Sequence, residues 1–62
     1  MTITMRDVRA AGMCSRGARL FLIRHGFEWS AFLRSGISSE FLIATGDAMA
    51  LHVVEVASVR KG

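Results

Sequence analysis

Four glycines divide a chain without proline into short segments, and this spacing limits what the chain can fold into. Glycine adopts the left-handed backbone at the end of a helix more easily than any other residue, so each is expected to end one. The glycines in question are Gly12, Gly26, Gly36 and Gly46. The spacing predicts an all-α fold, a compact single-domain bundle of about five short helices spanning residues 1–62. The predicted helices cover residues 5–11, 16–25, 28–35, 39–45 and 47–59.

Short polar side chains that can cap a helix precede most of these segments. Thr4 is the predicted N-cap of the first helix, and Asp7, three residues later, completes the pattern of a capping box. Later helices are predicted to be capped by Ser15, by Ser38 and by either Thr45 or Asp47. The caps therefore predict where the helices begin, and the glycines predict where they end.

Two segments carry apolar residues in nearly every direction around the helix and are expected to form the centre of the core. They are residues 16–25 and 47–59, and we expect them to pack against each other, with residues 20–23 buried. Trp29, Phe32 and Leu33 form an apolar stripe that we expect to cover one side of this core. Residues 51–59 also fit a strand, because β-branched residues nearly alternate there. The lack of a partner strand favours a helix.

Length and cysteine content limit how the chain can be stabilised. It has 62 residues and one cysteine, Cys14, so no internal disulfide can form. A core this small gives modest stability, and the expected state is a monomer or a weak dimer. A lone cysteine is typical of a reducing compartment, which predicts a cytoplasmic location. The apolar runs are far shorter than the roughly 20 residues that cross a bilayer, so no membrane partner and no secretory signal are expected.

The residues that could carry chemistry are too few and too far apart to predict an enzyme. Cys14 and His25 would lie at opposite ends of one helix, roughly 15 Å apart at a rise of about 1.5 Å per residue. One cysteine and two histidines match no zinc-binding spacing, and the acidic residues are scattered. We therefore predict no catalytic residue, no metal site and no cofactor.

Charge is divided along the chain, and this division supplies the candidate binding residues. Five arginines against Asp7 give residues 1–24 a net charge of +4, whereas four acidic residues against Arg34 give residues 25–59 a net charge of −3. Arginine forms forked hydrogen bonds to carboxylates and phosphates and is enriched at interfaces. The candidate partner-binding residues are Arg6, Arg9, Arg16, Arg19, Arg24, Glu28, Glu40, Asp47 and Glu55. The simpler alternative is that these charged residues only keep the surface hydrated and bind no partner.

Residues 38–57 have the outline of a helix-turn-helix, with Gly46 in the turn. The second helix begins with Asp47 and continues with apolar residues, whereas a recognition helix presents arginine, lysine or amide side chains to base edges. Sequence-specific DNA reading by this helix is therefore not expected. Direct nucleic-acid binding, less favoured than a protein partner, would use the N-terminal arginines on phosphates.

The pattern from Met5 to Ala57 resembles short prophage-encoded proteins of Gram-negative bacteria. The pieces that carry the resemblance are the run 14–19, the His25-Gly26 turn and the segment 44–51. Short phage proteins that fold alone as compact helical domains include anti-CRISPR inhibitors, which bind stoichiometrically to a defence complex. The resemblance implies an inhibitor of a host CRISPR-Cas complex, most simply a type I surveillance complex, that occludes a DNA-binding or subunit surface.

A small phage accessory protein is the alternative function. Such a protein would act in virion morphogenesis or bind DNA non-specifically through its arginines. The separated basic and acidic regions fit both alternatives, since each depends on electrostatic choice of a partner. Two contacts stay open: the acidic residues imitate nucleic acid or pair with a basic DNA groove, or the arginines bind an acidic protein face.

Overall fold

A computed structural model describes residues 1–61 and shows five helices and one two-stranded antiparallel ribbon within them. The elements in chain order are β1 (Thr2–Ile3), α1 (Met5–Ala10), α2 (Ser15–Arg24), α3 (Trp29–Ser35), β2 (Ile37–Ser38), α4 (Ser39–Thr45) and α5 (Ala48–Lys61). The predicted helical fold is confirmed, and the predicted helix ends are correct to within two residues. The strand alternative for residues 51–59 is wrong, because α5 is helical throughout that range.

The ribbon is the element that the sequence did not predict. Ile3 of β1 pairs with Ile37 of β2, and both side chains are buried. The Ser39 N–H extends the pairing by donating a hydrogen bond to the carbonyl oxygen of Met1 at 2.8 Å. Strands of two residues are too short to show an alternating pattern, so the sequence contains no signal for them.

All four glycines that were predicted to end helices have positive φ angles, between 70° and 82°. Gly36 is the most crowded of them. Its φ of 75° and ψ of −169° lie in a region that essentially only glycine occupies. A Cβ at this position would lie 2.7 Å from the carbonyl oxygen of Ile3 and 2.6 Å from Cγ2 of Thr2. The missing side chain therefore allows β1 to lie against the turn that leads into β2.

Side-chain caps form at several of the predicted helix starts. Ser38 Oγ accepts a hydrogen bond from the backbone N–H two residues later, at 3.2 Å, as predicted. Of the two candidates for α5, Asp47 is the cap, because its Oδ1 accepts hydrogen bonds from two backbone N–H groups of the first turn at 2.9 and 3.1 Å. The predicted cap at Ser15 is wrong. The helix begins one residue earlier than expected, with Ser15 inside it and Cys14 at the cap position.

Only one side of α5 faces the core, which corrects the prediction that this helix is surrounded by other helices at the centre of the core. Its buried residues are Ala50, Val53 and Ala57, spaced three and four apart, and Val59 is 80% exposed. The prediction that α2 and α5 pack chiefly against each other is also wrong. Helix α5 packs chiefly against α1 and α4, whereas α2 packs against α1 and α3. A chain of this size has too few helices to cover α5 on every side.

The aromatic pair of α3 covers the core as predicted. Phe32 is buried and Trp29 is half-buried, with their ring centroids 5.5 Å apart. Leu33 was expected to complete this stripe, but its side chain is 53% exposed. The apolar contribution of α3 is therefore two aromatic rings, and the third member of the predicted stripe faces solvent.

Replacing Gly36 with alanine is expected to destabilise the protein more than the same change at Gly46. Both glycines follow seven-residue helices and have similar φ angles, but a Cβ at Gly46 would meet nothing within 4 Å. Gly46→Ala should cost about 1–2 kcal/mol, the usual penalty for a left-handed residue, and Gly36→Ala at least about 3 kcal/mol. Urea unfolding followed by circular dichroism measures both values. Equal costs would contradict the close approach of Ile3.

Candidate protein-binding face on the second helix

The side of α2 that faces away from the core carries a continuous group of apolar and basic side chains. Ala18 and Leu22 are the buried residues of this helix and define its core side. The exposed residues of the group are spaced three or four apart, which makes them neighbours on the helix surface. We call the group the α2 outer face, and its members are Arg16, Arg19, Leu20, Ile23 and Arg24.

Leu20 and Ile23 correct the prediction that residues 20–23 belong to the core. Their side chains are 58% and 53% exposed, whereas that of Leu22 is buried. A helix turns about 100° per residue, so Leu22 lies on the side of Ala18 while Leu20 and Ile23 share the opposite side. This periodicity is present in the sequence. It could have separated the two groups if the spacing of Ala18 and Leu22 had been used to define the core side.

Other large apolar side chains are exposed within residues 1–61, but no helix other than α2 carries two of them three or four residues apart. Leu33 belongs to α3 and Ile43 to α4, and α5 exposes Met49, Leu51 and Val59. The three on α5 are two, eight and ten residues apart, so none is a neighbour of another on the helix surface. Single exposed apolar residues are common on proteins. Two adjacent ones bordered by arginine have the composition of an interface.

The arginines of the α2 outer face form no ion pair with any acidic side chain in residues 1–61. Both ion pairs in that range involve Asp7, and their cations are Arg60 and Lys61. Helix α2 itself contains no acidic residue. The face therefore presents Leu20 and Ile23 within a border of positive charge.

The two remaining candidate arginines, Arg6 and Arg9, are exposed on α1. Arg6 borders an open surface groove together with Leu33, Arg60 and Lys61, so the fold places it beside the last turn of α5. Arg9 lies in the last turn of α1, where a positive charge is stabilised by the negative end of the helix dipole.

The four candidate acidic residues are distributed over three helix starts and the middle of α5. Glu28 occupies the cap position of α3, and its carboxylate accepts a hydrogen bond from the hydroxyl of Ser30. Glu40 lies in the first turn of α4, and Asp47 caps α5. Negative charge at these places is stabilised by the helix dipole. Glu55, which is exposed on α5, is the only one of the four candidates outside a helix start.

Asp7 is a fully buried charged residue, and its position in the sequence predicted only its capping role. Its Oδ2 accepts a hydrogen bond from the Thr4 N–H at 2.9 Å, which is the predicted capping contact. Its Oδ1 lies 2.8 Å from Nη1 of Arg60, and its Oδ2 lies 2.9 Å from Nζ of Lys61. Arg60 follows Asp7 by 53 residues, so no local pattern predicts these contacts.

The surroundings of Asp7 hold its pKa below the usual value of 3.8. Burial alone would raise this pKa, but the hydrogen bonds from Lys61 and Thr4 and the positive charge of Lys61 stabilise the carboxylate and outweigh burial. Lys61 also donates a hydrogen bond to the carbonyl oxygen of Thr2. Arg60 and Lys61 are therefore structural cations that hold the last turn of α5 against α1 and β1.

Cys14 and His25 occupy opposite ends of α2, as the sequence predicts, so His25 is not placed to activate the Cys14 thiol. The His25 ring centroid lies 4.5 Å from that of Phe21 and 6.3 Å from that of Phe41. The described part of the chain contains no group of three or more histidine, cysteine, aspartate or glutamate side chains that could hold a metal ion.

No helix within residues 1–61 is both long enough and apolar enough to cross a membrane. Comparisons with protein-family models, with curated proteins and with solved structures find no match for this chain. Its role must therefore be inferred from its own geometry, and above all from the α2 outer face.

Two leucines of α2 provide a matched test of which side is exposed. Leu22→Ala should lower the free energy of unfolding by about 2–4 kcal/mol, because it removes a buried side chain. Leu20→Ala should change it by no more than about 0.5 kcal/mol, because the side chain already faces solvent. Urea unfolding monitored by the fluorescence of Trp29 compares the two variants. A Leu20→Ala variant as unstable as Leu22→Ala would place Leu20 in the core.

Replacing Asp7 with asparagine should lower the free energy of unfolding by about 3 kcal/mol at neutral pH, because two cations lose a buried partner. The native pKa of Asp7 is below 3.8, so its stabilising contribution is complete above that value. It is lost as the pH falls from 3.8 through the lower native pKa. Urea unfolding at a series of pH values should therefore show the difference between the two proteins shrinking in acid.

A matched control for this change is Glu55→Gln, which removes an exposed carboxylate from α5 and should leave stability within about 0.5 kcal/mol of the original. A deficit of Asp7→Asn that stays constant from neutral to strongly acidic pH would contradict the assigned role of the charge.

Proposed function

We propose that this chain is a phage-encoded, non-enzymatic binding protein that inhibits a bacterial defence complex. The proposed target is a type I CRISPR-Cas surveillance complex in the host cytoplasm, and the proposed action is steric occlusion of a DNA-binding or subunit surface. The observation that carries the binding role is the exposure of Leu20 and Ile23 between three arginines that have no ion-pair partner in residues 1–61. The choice of target rests on the resemblance to short prophage-encoded proteins.

The composition and rigidity of the α2 outer face both support a binding role. Arginine is among the residues that contribute most to binding energy. The centre of an interface is more apolar than its rim, as Leu20 and Ile23 are between the arginines of this face. The face lies on a regular ten-residue helix that Ala18 and Leu22 anchor to the core. Its side chains are therefore displayed on a backbone that is ordered before the partner arrives, which reduces the entropy lost on binding.

The size of the molecule suits inhibition by occlusion. Its shortest dimension is 19 Å, so a protein docked through one face would extend at least that far from the surface of its target. A typical stable interface buries about 800 Å² on each partner, about a fifth of the 4073 Å² accessible here. One face is therefore large enough to hold the protein in place while its bulk blocks access by another macromolecule.

The basic face supports the proposal better than the acidic residues do. Imitation of nucleic acid would need a contiguous row of negative charges, but three of the four candidate acidic residues lie at the starts of different helices. Asp47 is moreover engaged by two backbone N–H groups. We therefore assign the contact to the arginines and apolar residues of α2.

Affinity purification and phage plaquing test the proposal together. The tagged protein, expressed in an immune host, should co-purify with the type I surveillance complex and restore plaquing of the targeted phage. The double variant Leu20→Ala with Ile23→Ala should lose both properties, since the few residues that dominate an interface cluster near its centre, and truncating one of them costs about 2 kcal/mol or more.

Leu33→Ala is the matched control, because Leu33 is as exposed as Ile23 but belongs to α3. This variant should bind and inhibit like the original protein. Failure to co-purify with any type I complex, together with no effect on plaquing, would disprove the proposed target. Full inhibition by the Leu20→Ala and Ile23→Ala double variant would disprove the proposed contact face.

A further inference from the structure

We infer that the α2 outer face takes an acidic amphipathic helix of its partner protein. This inference rests on the binding role proposed above and specifies the chemistry of the partner. It is carried by the arrangement of the face, in which Leu20 and Ile23 are adjacent and the arginines lie on both sides of them along the helix.

The charges of the face are complementary to an acidic partner. Arg16, Arg19 and Arg24 form no ion pair within residues 1–61 and are exposed, so their guanidinium groups are available to an incoming ligand. A guanidinium presents a planar fork of N–H donors that matches the two oxygens of a carboxylate. Aspartate or glutamate side chains opposite these arginines would satisfy them with defined geometry.

The apolar pair requires an apolar stripe between those carboxylates. Leu20 and Ile23 expose more than half of their side chains to water, and only an apolar partner surface gains from covering them. A ligand that offered carboxylates alone would leave this area wet. The partner must therefore be amphipathic, with apolar residues at its centre and acidic residues at its edges.

A helix is the partner element whose shape fits this face. From Arg16 to Arg24 the face extends over eight residue steps, roughly 12 Å or just over two turns at a rise of about 1.5 Å per residue. The exposed side of α2 is a convex ridge, and helix surfaces dock by placing the ridge of one into the groove of the other. A partner helix with apolar residues three and four apart would place them on either side of Leu20 and Ile23.

A second copy of this chain does not meet these requirements. Symmetric pairing through α2 would bring the arginines of two copies together, and α2 contributes no acidic residue to neutralise them. Nucleic acid meets only half of the requirements. Its phosphates suit the arginines, but such interfaces are more polar than protein contacts, and phosphates would leave Leu20 and Ile23 against polar groups.

Designed peptides are the probes for this inference. One labelled helical peptide carries leucines three and four residues apart with glutamates on both sides, and a second has lysines in place of the glutamates. Fluorescence anisotropy with the full chain should show binding of the glutamate peptide, with affinity that weakens as salt rises from about 50 to about 200 mM. The lysine peptide should bind at least about tenfold more weakly.

Variants of the face separate the two requirements. Arg16→Glu with Arg19→Glu should reverse the preference, so that the lysine peptide binds at least about tenfold more tightly than the glutamate peptide. Leu20→Ala with Ile23→Ala should abolish measurable binding of both peptides. Leu33→Ala, outside the face, should leave both affinities unchanged. Circular dichroism checks that each variant retains its helices.

Several results would overturn the inference. They are equal affinity for the two peptides, no binding of the glutamate peptide, tighter binding of a short DNA duplex than of that peptide, or self-association that the Leu20→Ala and Ile23→Ala variant removes. These results are distinguishable from failure of the proposed function. Inhibition of the CRISPR complex without peptide binding disproves only the inference, and peptide binding without inhibition disproves only the proposed target.

Discussion

The buried carboxylate of Asp7 joins α1 to the last turn of α5. It caps α1 through Thr4 and at the same time holds Arg60 and Lys61 of α5. With a single cysteine, the chain has no internal disulfide to make this connection. A buried charge is costly unless it is compensated, and every buried side-chain polar atom in residues 1–61 has a hydrogen-bond partner. The packing of α5 against α1 therefore places this charge beside the two cations that compensate it.

Helix α2 buries only one of its sides. It packs against α1 and α3, whereas α5 packs chiefly against α1 and α4. The buried residues of α2 are Ala18 and Leu22. No helix within residues 1–61 covers the opposite side of α2, where Leu20 and Ile23 lie. Leu20 and Ile23 are consequently exposed although the segment is apolar enough to be a core helix. Val59 is also exposed on α5, but no other large exposed apolar residue lies three or four positions from it within residues 1–61.

Features encoded within a few residues could be predicted from the sequence, and features that depend on distant residues could not. Gly46 and Ser38 determine their own surroundings, so the helices that they end and begin were placed correctly. The ribbon joins Ile3 to Ile37 through strands of two residues, and Asp7 joins Arg60 across most of the chain. For the binding face, the arginines of α2 were recognised from composition, but Leu20 and Ile23 were assigned to the core. Apolar character does not reveal which side of a helix a small core leaves uncovered.

Charge counting treats all cations of the chain alike, and the structure divides them by what they contact. Arg60 and Lys61 are held by Asp7, and their positive charge is part of the fold. The six other arginines have no acidic partner in the described residues, and their positive charge is available to another molecule. Three of them, Arg16, Arg19 and Arg24, lie on the α2 outer face. A net charge of +3 conveys neither fact. The distinction matters because a cation that is already paired must give up that partner before it can bind another, whereas an unpaired one loses only water. Binding specificity therefore depends on the cations that folding does not use, and on this chain three of them border the same two apolar side chains.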